Sequence, residues 1–467
     1  MTARSEDMAI IGMDCIFPGA PDAKGYWQNI LAKVDAVTDP PPGWGADDVF
    51  DPMAATNDRI YCKRGGYLGD LARFNPLDHG IIPRTVDGSE PEHFLALQVS
   101  HRALEDAGYG DRTFNRERTA VILGRGTFLN RGNVTALQHG LVVDQTLSIL
   151  KRLHPEYSVE ALRELKQHLK ASLPPFNAET APGLVSNIMC GRVANRLDLR
   201  GPSFAVDAAC ASSLIAVDLA TRELASGRCD LALAGGVSVS TPAIVLMVFC
   251  QLGALSRRGE IRPFDKDADG TLLGEGTGVI VLKRRADAER DGDRVYAVIK
   301  GVGVSSDGHG AAILVPRLEG EELALRRAYE TSGIDPETVG LVEAHGTGTI
   351  VGDRTEIRAL HGVFGDRTMK LPSCALGSVK SMISHTIPAA GIAGLIKAAL
   401  SLYHRILPPT LHCEAPNPEL QLHHTRFYLN TETRPWISAG GRPRRAAVSA
   451  FGFGGINAHA VLEEHGA

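Results

Sequence analysis

The chain has 467 residues, 44% of them hydrophobic and 22% charged, and a formal net charge of −5. This balance is typical of a globular protein with one large or two ordinary domains, and the absence of a Lys/Arg-rich stripe argues against nucleic-acid binding. No apolar run approaches membrane-spanning length, and the eight cysteines form no Cys-x-x-Cys pair, so we expect a cytoplasmic protein with reduced thiols and no membrane partner.

Buried strands are predicted from short apolar runs, and helices from apolar residues at helical spacing. Before residue 130 they are strands at Met8–Gly12 and Thr119–Gly124 and helices at Tyr26–Leu31 and Glu92–Ala107. The segment of about 130–187 differs, with one clear helix after the candidate N-cap Ser158 and a break at Pro174 and Pro175. We interpret this segment as a helical insertion within a domain.

Strands and helices alternate in the rest of the chain. The predicted strands are Phe204–Val206, Leu231–Val239, Val295–Val304, Gly340–Ala344 and Leu376–Val379, and the helices are Leu214–Leu224, Glu321–Ser332 and Ala389–Leu402. Strand, helix and strand in succession imply right-handed parallel crossovers. The crossovers at Cys210 and at Val379 look like counterparts, which suggests one domain over 1–467 with an N-terminal half (about 8–260) and a C-terminal half (about 295–463).

Cys210 stands in the small-residue run Asp207–Ser213, where a predicted strand turns into a predicted helix. Small neighbours allow a sharp turn, and unpaired N–H groups at a helix start favour the thiolate, so Cys210 is a candidate nucleophile. A buried structural cysteine is the alternative.

Two histidines follow predicted strands of the second half. His345 lies in the run Glu343–Thr349 and His385 closes the run Gly377–His385, each where the carboxyl edge of a parallel sheet meets ligands. With Cys210 they could support thiolate attack on a thioester and hydrogen-bond an oxygen that gains negative charge. Each histidine alone could also be a structural residue.

Three further residues lie near the histidines in sequence. Lys380 could raise the local positive potential or be a solvated surface lysine. Thr347 and Thr349 could bind the amides of a pantetheine arm or only stabilise a turn.

The run Ala450–His459 alternates glycine with aromatic residues. Its exposed backbone N–H groups, at Phe453 and Gly454, could form an oxyanion hole with the N–H of Cys210, with Phe453 as a movable gate. A glycine-rich turn between two strands would have the same spacing.

The runs Asp207–Ser213, Glu343–Thr349, Lys380–His385 and Phe451–His459 resemble, in order, the four signature motifs of β-ketoacyl synthases. The resemblance extends over nearly the whole chain and is nearest to type I polyketide synthases of the iterative, polyunsaturated-fatty-acid type. It implies the thiolase fold, an α/β five-layer α-β-α-β-α sandwich of two related halves, and a homodimer.

The activity that this resemblance implies is decarboxylative Claisen condensation. Cys210 would carry the acyl chain, His345 and His385 would support malonyl decarboxylation, Lys380 would order His385, and Phe453 would act as the gate. The implied partners are acyl and malonyl thioesters, an acyl carrier protein and other domains of a larger synthase. The phosphopantetheine arm would come from the carrier protein, and no cofactor would be bound permanently.

Two alternative functions stay open. One is a CoA-dependent thiolase, which would need a second cysteine near the C-terminal end. The other is a non-elongating acyl-transfer or chain-length-setting domain, which is suggested by Ser384, where the family usually has glycine; a positive φ there would strain serine and displace His385. Pocket depth would depend on Met247, Phe249 and Phe128.

No metal or nucleotide is predicted. The run Asp265–Glu275 imitates a calcium loop, but its last acid falls one place before the required position. The pair Gly301 and Gly303 lacks the third glycine of a dinucleotide fingerprint, and His423 and His424 have no spaced partners.

Overall fold

The computed structural model describes residues 6–42, 44–45, 48–54, 58–126, 130–239, 241–310, 312–367, 371–438 and 441–466. Its strands are β1 (Met8–Ile16), β2 (Thr119–Arg125), β3 (Ser203–Val206), β4 (Leu231–Ser238), β5 (Gly276–Arg284), β6 (Ala297–Ser306), β7 (Leu341–Glu343), β8 (Cys374–Gly377), β9 (Ile406–Leu407), β10 (Phe427–Leu429), β11 (Arg434–Pro435), β12 (Arg445–Gly452) and β13 (Ile456–Glu463). Its helices are α1 (Ala23–Leu31), α2 (Pro91–Asp106), α3 (Arg131–Leu137), α4 (Val143–Leu153), α5 (Val159–Ala171), α6 (Asn187–Leu197), α7 (Ser212–Ala225), α8 (Ala243–Gln251), α9 (Arg285–Asp291), α10 (Leu318–Ser332), α11 (Ile350–Phe364), α12 (Lys380–Ile383) and α13 (Ala390–His404).

The internal duplication is visible in the order of the strands. Among the described residues, hydrogen bonding is continuous through β10-β8-β7-β12-β13-β6-β1-β5-β4-β2-β3. In the first half β1–β5 and β5–β4 are antiparallel while β4–β2 and β2–β3 are parallel. The second half repeats this with β6–β13 and β13–β12 antiparallel and β12–β7 and β7–β8 parallel. The strand before Cys210 (β3) and the strand before Lys380 (β8) therefore occupy equivalent places.

Five layers follow from which faces of the strands are covered. Alternate residues of β2 point to opposite sides: Ile122 joins the core that contains α7 and α13, whereas Val121 and Leu123 join the core under α2 and α6. On the second half α10 and α11 cover the outer face, with Val342 and Val461 beneath them. The predicted α-β-α-β-α sandwich is confirmed, with α7 and α13 as its central layer.

The central helix α13 belongs to an unusually apolar segment. Ile387–His404 is long and apolar enough to span a bilayer by length and composition, although no such run was expected from the sequence. It is a core helix, because 89% of it is buried inside the protein, between the two halves of the sheet.

Several elements were not predicted from the sequence. β5 and the two strands of the hairpin β12–β13 are buried on both faces, so their sequences show no alternation of apolar and polar residues. The insertion holds α3, α4 and α5, where one helix was expected. The predicted helix corresponds to α5, and α3 and α4 were not predicted. Most residues of α4 and α5 are exposed.

Candidate active site

Cys210 lies in a tight turn between β3 and α7. The turn is the 3₁₀ segment Ala209–Ala211, and Ala209 has a φ of 48°. One side chain holds it with two hydrogen bonds: Ser212 Oγ accepts the N–H of Ala208 at 2.8 Å and donates to the carbonyl of Ala209 at 2.6 Å. The predicted sharp turn is therefore present, and its left-handed residue is a position of stored backbone strain.

The thiol of Cys210 is protonated at neutral pH, contrary to the expectation that the helix start favours the thiolate. Burial raises its pKa to about 11, while the charge of Lys380 and the backbone N–H groups of Phe453 and of Cys210 itself lower it. Cys210 is 5% exposed, so the cost of desolvating a thiolate exceeds these stabilising contacts.

Both predicted histidines meet at Cys210. His385 Nε2 lies 3.0 Å from Cys210 Sγ, and the rings of His345 and His385 are 5.3 Å apart between centroids, nearly perpendicular. Burial and the charge of Lys380 lower the pKa of both imidazoles well below the ordinary value. Neutral imidazoles can donate or accept hydrogen bonds without adding a second positive charge beside Lys380.

Lys380 is buried, not a surface lysine, and it belongs to a buried charge cluster. It is 4% exposed, and burial lowers its pKa while Glu343 and Glu356 oppose that effect. Glu343 binds Lys397 of α13 at 2.6 Å and accepts the N–H of Val379, the residue before Lys380, at 2.7 Å. Lys397 was not predicted as part of the site, although a lysine in an otherwise apolar helix was a usable signal.

Two acids of α11 hold the loop that carries His345, and they too were missed. Glu356 accepts the N–H groups of His345 and Gly346 at 2.7 and 2.8 Å. Asp353 accepts the N–H groups of Phe264 and Gly348 at 2.7 and 3.2 Å. Burial raises the pKa of each carboxyl to about 7. Their spacing of three residues just after Thr349 was the available signal, since it places both on one helix face.

The run after Ala450 is a turn between strands that also reaches Cys210. Phe453, Gly454 and Gly455 connect β12 to β13, and the two glycines have φ values of 88° and 76°. Phe453 is 37% exposed and stacks on Phe249 of α8, with 5.7 Å between ring centroids. The Phe453 N–H and an aromatic ring at the mouth of the site thus come from one turn.

A cavity of about 540 Å³ connects these groups. Its lining residues include Cys210, His345, His385, Phe249, Phe453, Gly454, Thr347 and Thr349. The two threonine hydroxyls lie 3.0 Å apart and face the same cavity. Of the eight cysteines, all of which are in the described part of the chain, Cys210 alone lines it. Phe128 lies outside the described residues.

Ser384 adopts the strained conformation that its position requires. Its φ is 65° and its ψ −179°, it is fully buried, and its Oγ has no hydrogen-bond partner among the described residues. His385 nevertheless stays within 3.0 Å of Cys210, so the expected displacement of the histidine does not occur.

Two acids of the run that resembles a calcium loop accept hydrogen bonds from other residues of the chain. Asp269 accepts the hydroxyl of Ser256 at 2.6 Å and the N–H groups of Arg257 and Arg258. Asp265 accepts the N–H groups of residues 267 and 415. Both carboxylates therefore fix the loops that border the cavity.

Family models match consecutive parts of the chain. They are described as the N-terminal domain of β-ketoacyl synthase over residues 5–288, its C-terminal domain over 296–414 and a ketoacyl-synthetase C-terminal extension over 416–467.

Curated relatives and solved structures agree with these models. The polyketide synthase PksL of Bacillus subtilis is 38% identical over 99% of the chain, and a polyunsaturated fatty acid synthase polypeptide of a Thraustochytrium species is 39% identical over 98%. The chain spans only 9% and 16% of the lengths of these two relatives. The ketosynthase from module 6 of the bacillaene synthase of Bacillus subtilis 168 is similar with a TM-score of 0.82, at 38% identity over 99% of the chain and 73% of that structure. The oxazolomycin ketosynthase domain of Streptomyces albus JA3453 has a TM-score of 0.83, at 35% identity over 98% of the chain and 74% of that structure.

Proposed function

Because the chain belongs to the β-ketoacyl synthase family of type I polyketide synthases, we propose that it condenses a cysteine-bound acyl chain with a malonyl-type extender carried by an acyl carrier protein. The observation that carries this proposal is the 3.0 Å contact between Cys210 Sγ and His385 Nε2, with His345 in the same cavity. As a member of this family the chain is a carbon–carbon bond-forming acyltransferase.

Acyl loading starts from the neutral thiol. Cys210 Sγ attacks the thioester carbonyl of the incoming acyl chain while its proton passes to Nε2 of His385. The carbonyl oxygen gains negative charge and is stabilised by the N–H groups of Cys210 and Phe453, the two groups that also lower the pKa of the thiol. The pantetheine thiolate leaves and takes the proton back from His385.

Condensation uses both imidazoles. The C–C bond to the malonyl carboxylate breaks, CO₂ leaves, and the electron pair moves to the thioester carbonyl, whose oxygen is stabilised by hydrogen bonds from His345 and His385. The resulting enolate carbon attacks the acyl carbonyl on Cys210 and expels the thiolate. Burial, together with the charge of Lys380, lowers the pKa of both imidazoles and so favours the neutral forms that donate.

The cavity fits a phosphopantetheine arm delivered by the carrier protein. Thr347 and Thr349 offer hydroxyl groups to its amides near the reacting thioester. Phe453 lies between solvent and Cys210 and is stacked rather than fixed in the core, so it is the gate of this proposal. Movement of its two-glycine turn would admit the arm.

A homodimer is proposed from the β3 end of the sheet. β3 is the last strand in the order of the described residues, and its four residues are only half-buried. Asn187 Oδ1 accepts the N–H of Ala205 on this strand at 3.0 Å. A strand at the end of a sheet is a site for pairing with another chain, and here the second chain would be a copy of this one. Such a dimer would place two Cys210 turns close to the interface. The cytoplasmic location and the other synthase domains remain predictions.

The test is intact-mass analysis of the protein with an acyl-pantetheine thioester and then with malonyl carrier protein, in wild type and in Cys210→Ala. We expect the wild type to gain the acyl mass and to lose it as a β-ketoacyl product, and the variant to gain nothing. Acyl loading of the Cys210→Ala variant would contradict the assignment of Cys210 as the nucleophile. Wild-type loading without elongation would identify the non-elongating alternative, and cleavage of acetoacetyl-CoA would identify a thiolase.

A further inference from the structure

A buried carboxyl group faces the cavity at a place that the proposed mechanism does not use. Glu321, in the first turn of α10, is 1% exposed and lines the same cavity as Cys210. Its Oε2 has no hydrogen-bond partner among the described residues. Buried polar atoms are nearly always paired, so an unpaired one in a substrate cavity indicates a partner that arrives with the ligand.

The neighbours of Glu321 on the same helix have partners. Glu319 is paired with Arg317 at 3.3 Å and Glu322 with Arg326 at 3.1 Å. The charges that act on Glu321 come instead from Glu356 and Asp307, which are both acidic. Burial and these two like charges raise the pKa of Glu321 well above its ordinary value. This shift favours the neutral carboxyl group, which offers an O–H donor.

The position of Glu321 is fixed by close packing of α10. Ser305 Oγ donates to the carbonyl of Gly320 at 2.6 Å, and a Cβ on Gly320 would meet Asp307 Oδ1 at 1.9 Å. Asp307 in turn donates its N–H to the carbonyl of Gly455 at 2.8 Å. The residue before Glu321 is therefore packed against Asp307, which is bonded to the turn that carries Phe453.

We propose that Glu321 is a specificity-determining residue: its buried carboxyl group donates a hydrogen bond to an uncharged carbonyl or hydroxyl oxygen of the bound thioester. An uncharged acceptor fits because Glu356 and Asp307 would repel an anion. The oxygen belongs either to the pantetheine arm or to the acyl chain beyond its thioester carbonyl. This inference rests on the proposed function, since it assigns a partner to a group in the same cavity.

The experiment compares rates of Cys210 acylation by intact mass. The probes are butanoyl and 3-hydroxybutanoyl thioesters, each made with full-length pantetheine and with N-acetylcysteamine, which ends after the first amide. Glu321→Gln keeps a hydrogen-bond donor, so its acylation rate should stay within about 2-fold of wild type. Glu321→Leu has no donor, and its acylation rate should fall by about 3- to 10-fold with every thioester that carries the acceptor oxygen. Glu319→Leu, on the same turn but exposed, is the matched control and should change nothing.

Each outcome is decisive. A loss in Glu321→Leu with both pantetheine thioesters but not with the shorter carrier assigns the oxygen to the arm, and a loss confined to 3-hydroxybutanoyl assigns it to the acyl chain. Equal loading by Glu321→Leu and wild type, or a loss as large in Glu321→Gln, overturns the proposal. Glu321→Met provides the same comparison if the leucine variant does not fold. Failure of the wild type to load any probe would instead contradict the proposed function.

Discussion

Glu356 holds the backbone of His345 with one carboxylate oxygen and the backbone of the next residue with the other, at 2.7 and 2.8 Å. His345, which is proposed to support decarboxylation, thus depends for its position on an acid eleven residues later in the chain. His385 reaches Cys210 from a different loop, after α12. Ser378 Oγ joins the two loops by donating to the carbonyl of Gly346 at 3.0 Å, but the N–H of His345 itself is held by Glu356.

Replacing Glu356 by glutamine should therefore separate the two half-reactions. The amide has one acceptor oxygen, and its NH₂ group would face a backbone N–H, so the His345 loop should shift. We expect CO₂ release from malonyl thioester to slow by about 10- to 100-fold, because small misplacements of a catalytic group have effects of this size. Acyl loading on Cys210 should stay within about 2-fold. Glu330→Gln, at an exposed position of α10, is the control, and equal losses in both half-reactions would contradict a role of Glu356 confined to His345.

The buried pair of Glu343 and Lys397 leads to a prediction about stability. Their side chains are 2% and 1% exposed, so Lys397→Met would leave a buried, unpaired carboxylate and should lower the free energy of unfolding by about 3–5 kcal/mol. The double variant Glu343→Gln/Lys397→Met removes both charges of the pair and leaves Lys380 with Glu356, so it should be more stable than the single variant. Urea denaturation measures both. Lys33→Met, in an exposed pair with Glu432, should cost less than about 1 kcal/mol.

The candidate active-site residues could be proposed from the sequence because their runs follow predicted strands. Cys210 follows β3 and His345 follows β7, and such positions are set by local pattern and by the topology of parallel strands. Partners such as Lys397 and Glu356 could not be assigned, because only the packing of α13 and α11 brings them to the site. The expectation that the Cys210 thiolate is favoured was wrong for the same reason: burial raises the pKa of the thiol, and the extent of burial depends on tertiary packing.

Glu275 leads to a prediction about pH. It is buried and accepts the N–H groups of Leu68 and Thr241 at 3.1 and 3.2 Å, and burial raises its pKa from 4.5 to about 7. Because the folded state holds this proton more tightly than the unfolded state, the stabilisation is complete below about pH 4.5 and is lost as the pH rises through about 7.

Denaturant midpoints of wild type and Glu275→Gln from pH 4.5 to 8 test this linkage. The wild type should lose a few kcal/mol of stability relative to the variant over that interval, at about 1.4 kcal/mol per pH unit for one proton. Glu356 and Asp353 change in the same direction in both proteins and cancel in the difference. A difference that does not vary with pH would show that Glu275 does not titrate in this range.

Ser384 leads to the last prediction, and it concerns strain beside the active site. With φ at 65° and ψ at −179°, the residue occupies a region that is nearly restricted to glycine and costs of order 1–3 kcal/mol for other residues. Its hydroxyl is buried and unpaired among the described residues, which adds a further cost. Ser384→Gly removes both costs and loses only the entropy that glycine adds to the unfolded chain, so it should raise the free energy of unfolding by about 1–2 kcal/mol.

Ser381→Gly is the matched control: that serine bonds to Ser378 and Leu411, and its loss should destabilise the protein. Since His385 already lies at Cys210, Ser384→Gly should leave the acylation rate within about 2-fold of wild type, and a large increase in that rate would show that serine displaces the histidine in solution.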